Sequence, residues 1–279
     1  MTKYRIAEMT WPEVKDAAEQ GRIVLHPVAA IEQHGPHLPC DTDNLIVVGL
    51  CEAAAARHPE EFVVAPNIPY GFNDHNMEFP GTVSIQPETL LAFMDDAGKS
   101  YATMGFQTFM WVNGHGSNDT VTQLAARKLN IETPTRAAMT ASYLLAAMVE
   151  RERKIRTSGP GGVCHACEFE TSLVMHLQPD LVREELIADE YAQGHSRYDD
   201  QDWTGAAPVR FMDWWSQRSM TGVEGAPSHA TAEKGRRLFD GCVDLLIDIS
   251  RSIRDMPLPE RRDMRPTGAW PEGLKSPIR

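Results

Sequence analysis

The sequence predicts an α/β fold in which a mainly parallel sheet carries helices on both faces, a three-layer α/β/α arrangement. Three observations lead there. Apolar runs of strand length alternate with longer stretches of helical periodicity, and these runs are apolar on consecutive residues, as in strands buried on both faces. Each run also breaks into a loop bearing glycine or proline before the next helix begins. In such a sheet ligands gather at the carboxyl ends of the strands. The chain has 279 residues, 42% hydrophobic and 24% charged, enough apolar material for one sizeable core. It reads as one domain over residues 1–256, followed by an extended or disordered tail rich in Pro and Arg over 257–279.

The elements follow in order. "RIVLHPVAA", from Arg22, is a buried strand feeding the loop "IEQHGPHLPCDTDN", and a helix starts near Asp41 to Asp43, where acidic residues favour a helix N-terminus and Asp41 suits capping. "EFVVAPNIPYGF" reads as a second strand cut by Pro and Gly. "SIQPETLLAFMDDAGKSYATMGF" is a helix, with Pro near its start and Gly at its end. "QTFMWVNGHGSND" is a third strand running into a glycine-bracketed turn, and "DTVTQLAARKL" is helical. "AAMTASYLLAAMVERERKI" turns from apolar to charged, and "RTSGPGGVCHAC" is expected to be a mobile segment of the site. "EFETSLVMHL" resumes helical spacing. The stretch from Ala192 to Ser228 holds three of the six tryptophans, and an irregular segment of that length should cover a site or a subunit contact. Trp203, Trp214 and Trp215 could line a pocket or a subunit contact, with core or interface packing the expected role. A long amphipathic helix runs from about His229 to Asp255.

Composition excludes several classes. A formal net charge of −12 opposes nucleic-acid phosphate. No basic segment followed by an apolar run opens the chain, and no stretch is apolar enough for a membrane helix, so a cytoplasmic protein without membrane attachment is expected. Five cysteines make an odd, sparse set that reads as reduced thiols. The single CxxC of Cys164 and Cys167 has no second pair to complete a zinc knot.

The chemistry is concentrated in "IEQHGPHLPCDTDN". Glu32 and His34 are one residue apart, so in an extended segment both side chains point to one side, and Asp43 can face back from the helix start. His115, in "NGHG", falls on the same sheet edge. Mixed carboxylate and imidazole donors suit one or two divalent ions, Zn, Mn or Fe, and argue against Ca²⁺ or a thiolate cluster. "CHACEFETS" adds His165, Glu168 and Glu170, a histidine able to shuttle protons beside carboxylates at a helix start.

Five motifs together resemble the creatininase family of metal-dependent amidohydrolases. "EQHGPHLPCDTD" is similar to that family's E-x-H-G-x-H-L-P-x-x-T-D, "NGHGSN" to N-G-H-x-x-N, and "HACEFETS" to H-A-x-x-x-E-T-S. "YGFNDHNMEFPGTVS" compares with H-x-x-F-P-G-T, and "GVEGAPSHATAEKG" with G-V-x-G-x-P-x-x-A-T-A-E-K-G. The resemblance implies a compact α/β/α domain, usually a homohexamer, holding one or two metals. It places Glu32, His34, Asp43 and His115 on metal ligands, with Asp43 bridging, and His165 on a histidine that handles protons near the substrate. Creatininase has a further glutamate ligand where this chain has Ser117, and Glu170 is the expected replacement. Creatininase also closes over creatinine with tryptophans ahead of its "HA" motif, whereas Ala141 to Cys164 contains none, so creatinine is not the expected substrate.

The expected activity is hydrolysis of a C–N amide bond in a small cyclic amide, formamide or short peptide-like substrate. Metal-bound water, its pKa lowered from ~15.7 towards ~7, would attack the carbonyl. Glu170 or Glu168 would take the water proton and His165 would protonate the leaving nitrogen. Backbone N–H groups near Gly81 and Thr82, with Asn118, are candidate donors to the substrate or oxyanion. His37, His75 and Ser117 are candidate pocket residues. A metal-dependent lyase or isomerase acting on a bound carbonyl, and a non-catalytic metal-stabilised subunit, are the competing readings.

Overall fold

The computed structural model describes residues 2–192, 196, 198, 202–205, 208–209 and 211–261. The expected tail over 262–279 and parts of the stretch from 193 to 210 lie outside the described residues.

Helix α1 (Trp11–Glu19) leads into strand β1 (Ile23–Val28), helix α2 (Thr42–Arg57) and strand β2 (Phe62–Val64). Helix α3 (Pro87–Thr103), strand β3 (Thr108–Asn113), helix α4 (Asp119–Glu132) and strand β4 (Arg136–Ala141) follow. The four strands form a parallel sheet in the order β2-β1-β3-β4. Strand alternation divides the apolar residues between two cores. Ile23, Leu25, Phe62, Val64, Met110 and Val112 face one core, with α2 and three later helices; Val24, Val63, Phe109 and Trp111 face the other, with α1, α3 and α4. Those later helices are α5 (Ser142–Arg153), α6 (Glu168–Leu177) and α8 (Ala232–Asp255). The α/β/α layering expected from the sequence is therefore present.

Several local expectations are revised. The second strand is only Phe62–Val64, because Pro66 and Pro69 remove ladder donors beyond it. "RAAMTA" is a strand, β4, although alanine has little preference for one; pairing with β3 from Thr108 to Asn113 defines it. "RTSGPGGVCHAC" is not a loose segment. The Glu168 carboxylate accepts from the N–H groups of Thr157 and Ser158, and Asp202 accepts from Arg156 and from the Gly161 N–H. The segment ends in strand β5 (Val163–His165), which pairs antiparallel with strand β6 (Glu224–Gly225). The four-residue helix α7 (Trp215–Arg218) precedes β6. The long helix starts later than expected, at Ala232, where the Thr231 side chain accepts from the Lys234 N–H.

Two features of the sheet create the site. β1 has β2 on one side and β3 on the other, so strand order reverses between β1 and β3 and leaves a crevice at their carboxyl ends. Val28 pairs with Asn113, so both strands end level and their loops leave side by side. Gly114 permits that approach, since a Cβ there would stand 2.8 Å from the Asp43 carbonyl oxygen.

Candidate metal centre

The loop after β1 delivers Glu32 and His34 to this crevice, the loop after β3 delivers His115, and the first turns of α2 and α6 deliver Asp43 and Glu170. All five are buried. The two histidines share one pattern. His115 Nε2 is 3.1 Å from the Phe72 carbonyl oxygen, and His34 Nδ1 is 3.1 Å from the Glu32 carbonyl oxygen. A carbonyl can only accept, so these nitrogens carry the protons and donate. The remaining nitrogen of each neutral ring is a lone pair directed at carboxylates. His115 Nδ1 lies 2.6 Å from Glu32 Oε2 and 3.2 Å from Asp43 Oδ2. His34 Nε2 lies 3.3 Å from Asp43 Oδ1 and 3.7 Å from Glu170 Oε1. Asp43 thus offers one oxygen to each histidine.

Lone pairs and carboxylate oxygens at these distances repel unless positive charge sits between them. One source is a second ring proton. Burial pushes both imidazoles towards the neutral form, but Glu32 and Asp43 outweigh it and hold His115 up at about 10. For His34, Asp43 and Glu170 do the same, holding it well above the usual histidine range. The other source is a metal cation, and the residues fit one. Among the described residues, Glu32 Oε2, Asp43 Oδ2 and His34 Nε2 are buried polar atoms that have no hydrogen-bond partner while the two rings are neutral. Ligating histidines characteristically donate their other ring N–H to a carbonyl or carboxylate, as both do here. The ligand-capable atoms fall into two groups, Glu32, Asp43 and His115, and His34, His165 and Glu170, each within 4.8 Å of one another. Nitrogen and oxygen donors without thiolate suit Zn, Mn or Fe.

A cavity of about 510 Å³ opens above these groups, a size suited to a small molecule or a short peptide segment. Glu32, Asp43, His115, His165 and Glu170 are on its wall, as are the candidate pocket residues His75 and Ser117. Trp203 and Trp215 also line it while packing against their buried neighbours as expected, and Trp214 is half exposed. Trp215 stands edge-on to His165, with centroids 4.8 Å apart, and its Nε1 donates to the Gly222 carbonyl at 2.9 Å.

Other expected residues lie elsewhere. Glu168 is off the cavity wall, and its carboxylate is taken by Lys234 Nζ at 2.5 Å and the two N–H groups of the 157–158 turn, so it is not placed to accept a proton from water in the cavity. Asn118 accepts from the Phe72 N–H and donates to the Ala29 carbonyl, bracing two loops rather than facing a substrate. Thr82 accepts from the Gln33 N–H, and Gly81 packs on Cys40; neither is on the cavity wall. His37 contacts Thr171 Oγ1 at 2.9 Å behind the wall, and burial with His34 and His165 nearby pushes it down to about 4. Asp41 stands at the N-cap position, where it accepts from the Asn44 side chain. Burial raises the Cys164 and Cys167 thiols well above the usual range, which opposes a thiolate role.

Sequence reasoning overlooked Asn76, whose Nδ2 donates to Glu32 Oε1 at 2.5 Å. A signal existed: counting back from Phe79, the first position of the H-x-x-F-P-G-T element falls on Asn76, not His75. Asp119 and Tyr143 were also overlooked; both line the cavity, with the Tyr143 hydroxyl donating to the Asp119 carboxylate.

Known proteins are similar to this chain along most of its length. The sequence profile of the creatininase family, described as creatinine amidohydrolase, matches residues 7–250. The mycofactocin precursor peptide peptidase of Mycobacterium tuberculosis (strain CDC 1551 / Oshkosh) is 34% identical over 246 residues, covering 85% of this chain and 87% of that protein. A solved manganese creatininase superposes with a TM-score of 0.74 at 26% identity, over 90% of this chain and 98% of that one. A mutant creatininase of Zn-Zn type gives 0.73 at 25% identity, over the same shares.

Proposed function

The chain belongs to the creatininase family, and from that premise we propose that it hydrolyses a C–N amide bond in a cyclic amide, formamide or short peptide at a divalent metal centre. The observation that carries this reading is the paired arrangement of His34 and His115, each donating one N–H to a backbone carbonyl and turning its lone pair to shared carboxylates. Glu32, Asp43 and His115 would hold one cation; His34, Asp43 and Glu170 would hold a second, with Glu170 replacing the carboxylate absent at Ser117. A cation bound there supplies Lewis acidity for the amide carbonyl and acidifies water.

The chain's own residues do the rest. His165, on the cavity wall with its ring 4.3 Å from that of His34, takes the proton lost by water and returns it to the leaving nitrogen. Asn76 orients Glu32 through its Oε1. Trp203 and Trp215 give the cavity an apolar wall that excludes solvent and receives the substrate's apolar part. A short peptide is the favoured substrate class, because a cavity of about 510 Å³ is larger than a single small ring needs and the M. tuberculosis relative is named a peptidase.

The test is metal analysis of protein purified without chelators, followed by amine or ammonia release from a panel of cyclic amides, formamides and short peptides. Bound Zn, Mn or Fe with cleavage lost on chelation is expected. Protein free of divalent metal, or metal-loaded protein inert on every amide, would overturn the proposal.

A further inference from the structure

The geometry points to Gln33, between the two candidate ligands of the β1–α2 loop, as a positioning residue that fixes which nitrogen of His165 carries the proton. The inference rests on the proposed amide hydrolysis for its kinetic consequence only.

Gln33 is 5% exposed, and its side-chain nitrogen has three polar neighbours at 3.1 Å: Asn76 Oδ1, the Gly222 carbonyl oxygen and His165 Nε2. Its Oε1 accepts from the Gly35 N–H at 2.8 Å, which settles the amide's orientation. An amide nitrogen has two hydrogens. The Gly222 carbonyl can only accept. Asn76 presents its oxygen to Gln33, because its own Nδ2 donates to Glu32. Both hydrogens are therefore assigned, and none remains for His165. The ring instead lies 2.8 Å from the Gln33 backbone oxygen, an obligate acceptor, so His165 Nε2 carries hydrogen and donates it there. The neutral ring is the Nε2–H tautomer, and proton exchange with substrate runs through Nδ1.

One residue thus controls two parts of the site. Its backbone carbonyl orients His165, and its side chain, through Asn76, orients Glu32. The side chain also holds the carbonyl in place by tying the loop to Gly222. The reverse face is equally constrained: Gly222 has φ +91°, and a Cβ there would meet Gln33 Oε1.

The test begins with unaltered, metal-loaded protein carrying ¹⁵N-histidine, with the His165 signals assigned by their loss in His165→Gln. Nε2–H is expected for the neutral ring; an Nδ1–H tautomer would overturn the inference whether or not any variant folds. Gln33→Met keeps length without polar atoms. It should retain metal content and melting temperature within a few degrees, shift the His165 ¹⁵N pattern towards a mixture of tautomers, and lower kcat roughly 10- to 100-fold with KM changed less. Unchanged His165 signals in folded Gln33→Met would also overturn it. Failure of the unaltered protein to cleave any amide would count against the proposed function, while the tautomer measurement would still decide the role of Gln33.

Discussion

His115 Nδ1 stands 2.6 Å from Glu32 Oε2 while the opposite ring nitrogen donates to the Phe72 carbonyl, so the imidazole is oriented before any cation arrives. The pair joins the loop after β1 to the loop after β3. Removing either side chain should abolish metal uptake at this group. Glu32→Ala and His115→Ala are expected to fold with unchanged circular dichroism and to lose the metal of this group, about half of the unaltered protein's content if two ions bind. Full metal occupancy in either variant would show that other residues hold the ion.

Binding should also register as stability. A cation present at ~100 times its dissociation constant adds about 2.7 kcal/mol, which for a domain of this size corresponds to a rise of roughly 5–10 °C in melting temperature. Calorimetry with and without chelator, followed by Zn or Mn addition, measures it. No difference between chelated and reloaded protein would refute a bound structural or catalytic ion.

The sign of the pH dependence follows from His115. In metal-free protein its folded pKa is about 10, above the ~6.5 of an unfolded histidine. A raised pKa gives stability that is complete below pH ~6.5 and is lost as pH rises through the folded value. Chelated protein should therefore melt progressively lower from pH ~6.5 to ~9.5. His115→Gln should flatten that slope, and loading metal at about pH 8 should release protons, because imidazolium must deprotonate to ligate. A flat melting profile in chelated protein, or metal uptake without proton release, would contradict the charged pair.

Glu170 and Ser117 form a testable exchange. Glu170→Gln should lose the metal nearest His34 while leaving that at His115, halving the stoichiometry if two ions bind. Ser117 lies on the same cavity wall two residues after His115, and Glu170→Gln combined with Ser117→Glu should regain part of the loss. Unaltered stoichiometry in Glu170→Gln would remove Glu170 from the site.

Lys234 bonds the fully buried Glu168 carboxylate at 2.5 Å, together with Thr157 Oγ1 and the His229 carbonyl. Lys234→Met leaves that carboxylate without its counter-charge, at a cost of about 3 kcal/mol or more, and the melting temperature should fall by roughly 6–12 °C. Metal affinity at the His115 group should not change. A melting temperature within a degree of the unaltered protein would show that the backbone N–H groups alone satisfy Glu168.

Local sequence determined the alternation of strands and helices, the parallel sheet and most of the candidate ligands, because these follow from apolar periodicity and from side chains crowded into one loop. Glu32 and His34 needed only an extended segment to point together. Tertiary structure decided the rest. Glu168 and Glu170 are two residues apart on α6, hence about 200° apart around its axis, and nothing local says which faces the cavity. Packing against α8 and the 157–158 turn buries Glu168 with Lys234 and leaves Glu170 towards His34. The alanine-rich β4 is a strand because β3 pairs with it, which its own composition does not announce. Trp215 meets His165 from fifty residues along the chain. Asn118 had the composition of a substrate donor, yet the close approach of Gly71 and Ala29 commits its amide to backbone. Periodicity and clustering can be read along a chain; which of two suitable groups is desolvated, paired or left facing a cavity depends on neighbours that only the fold brings near.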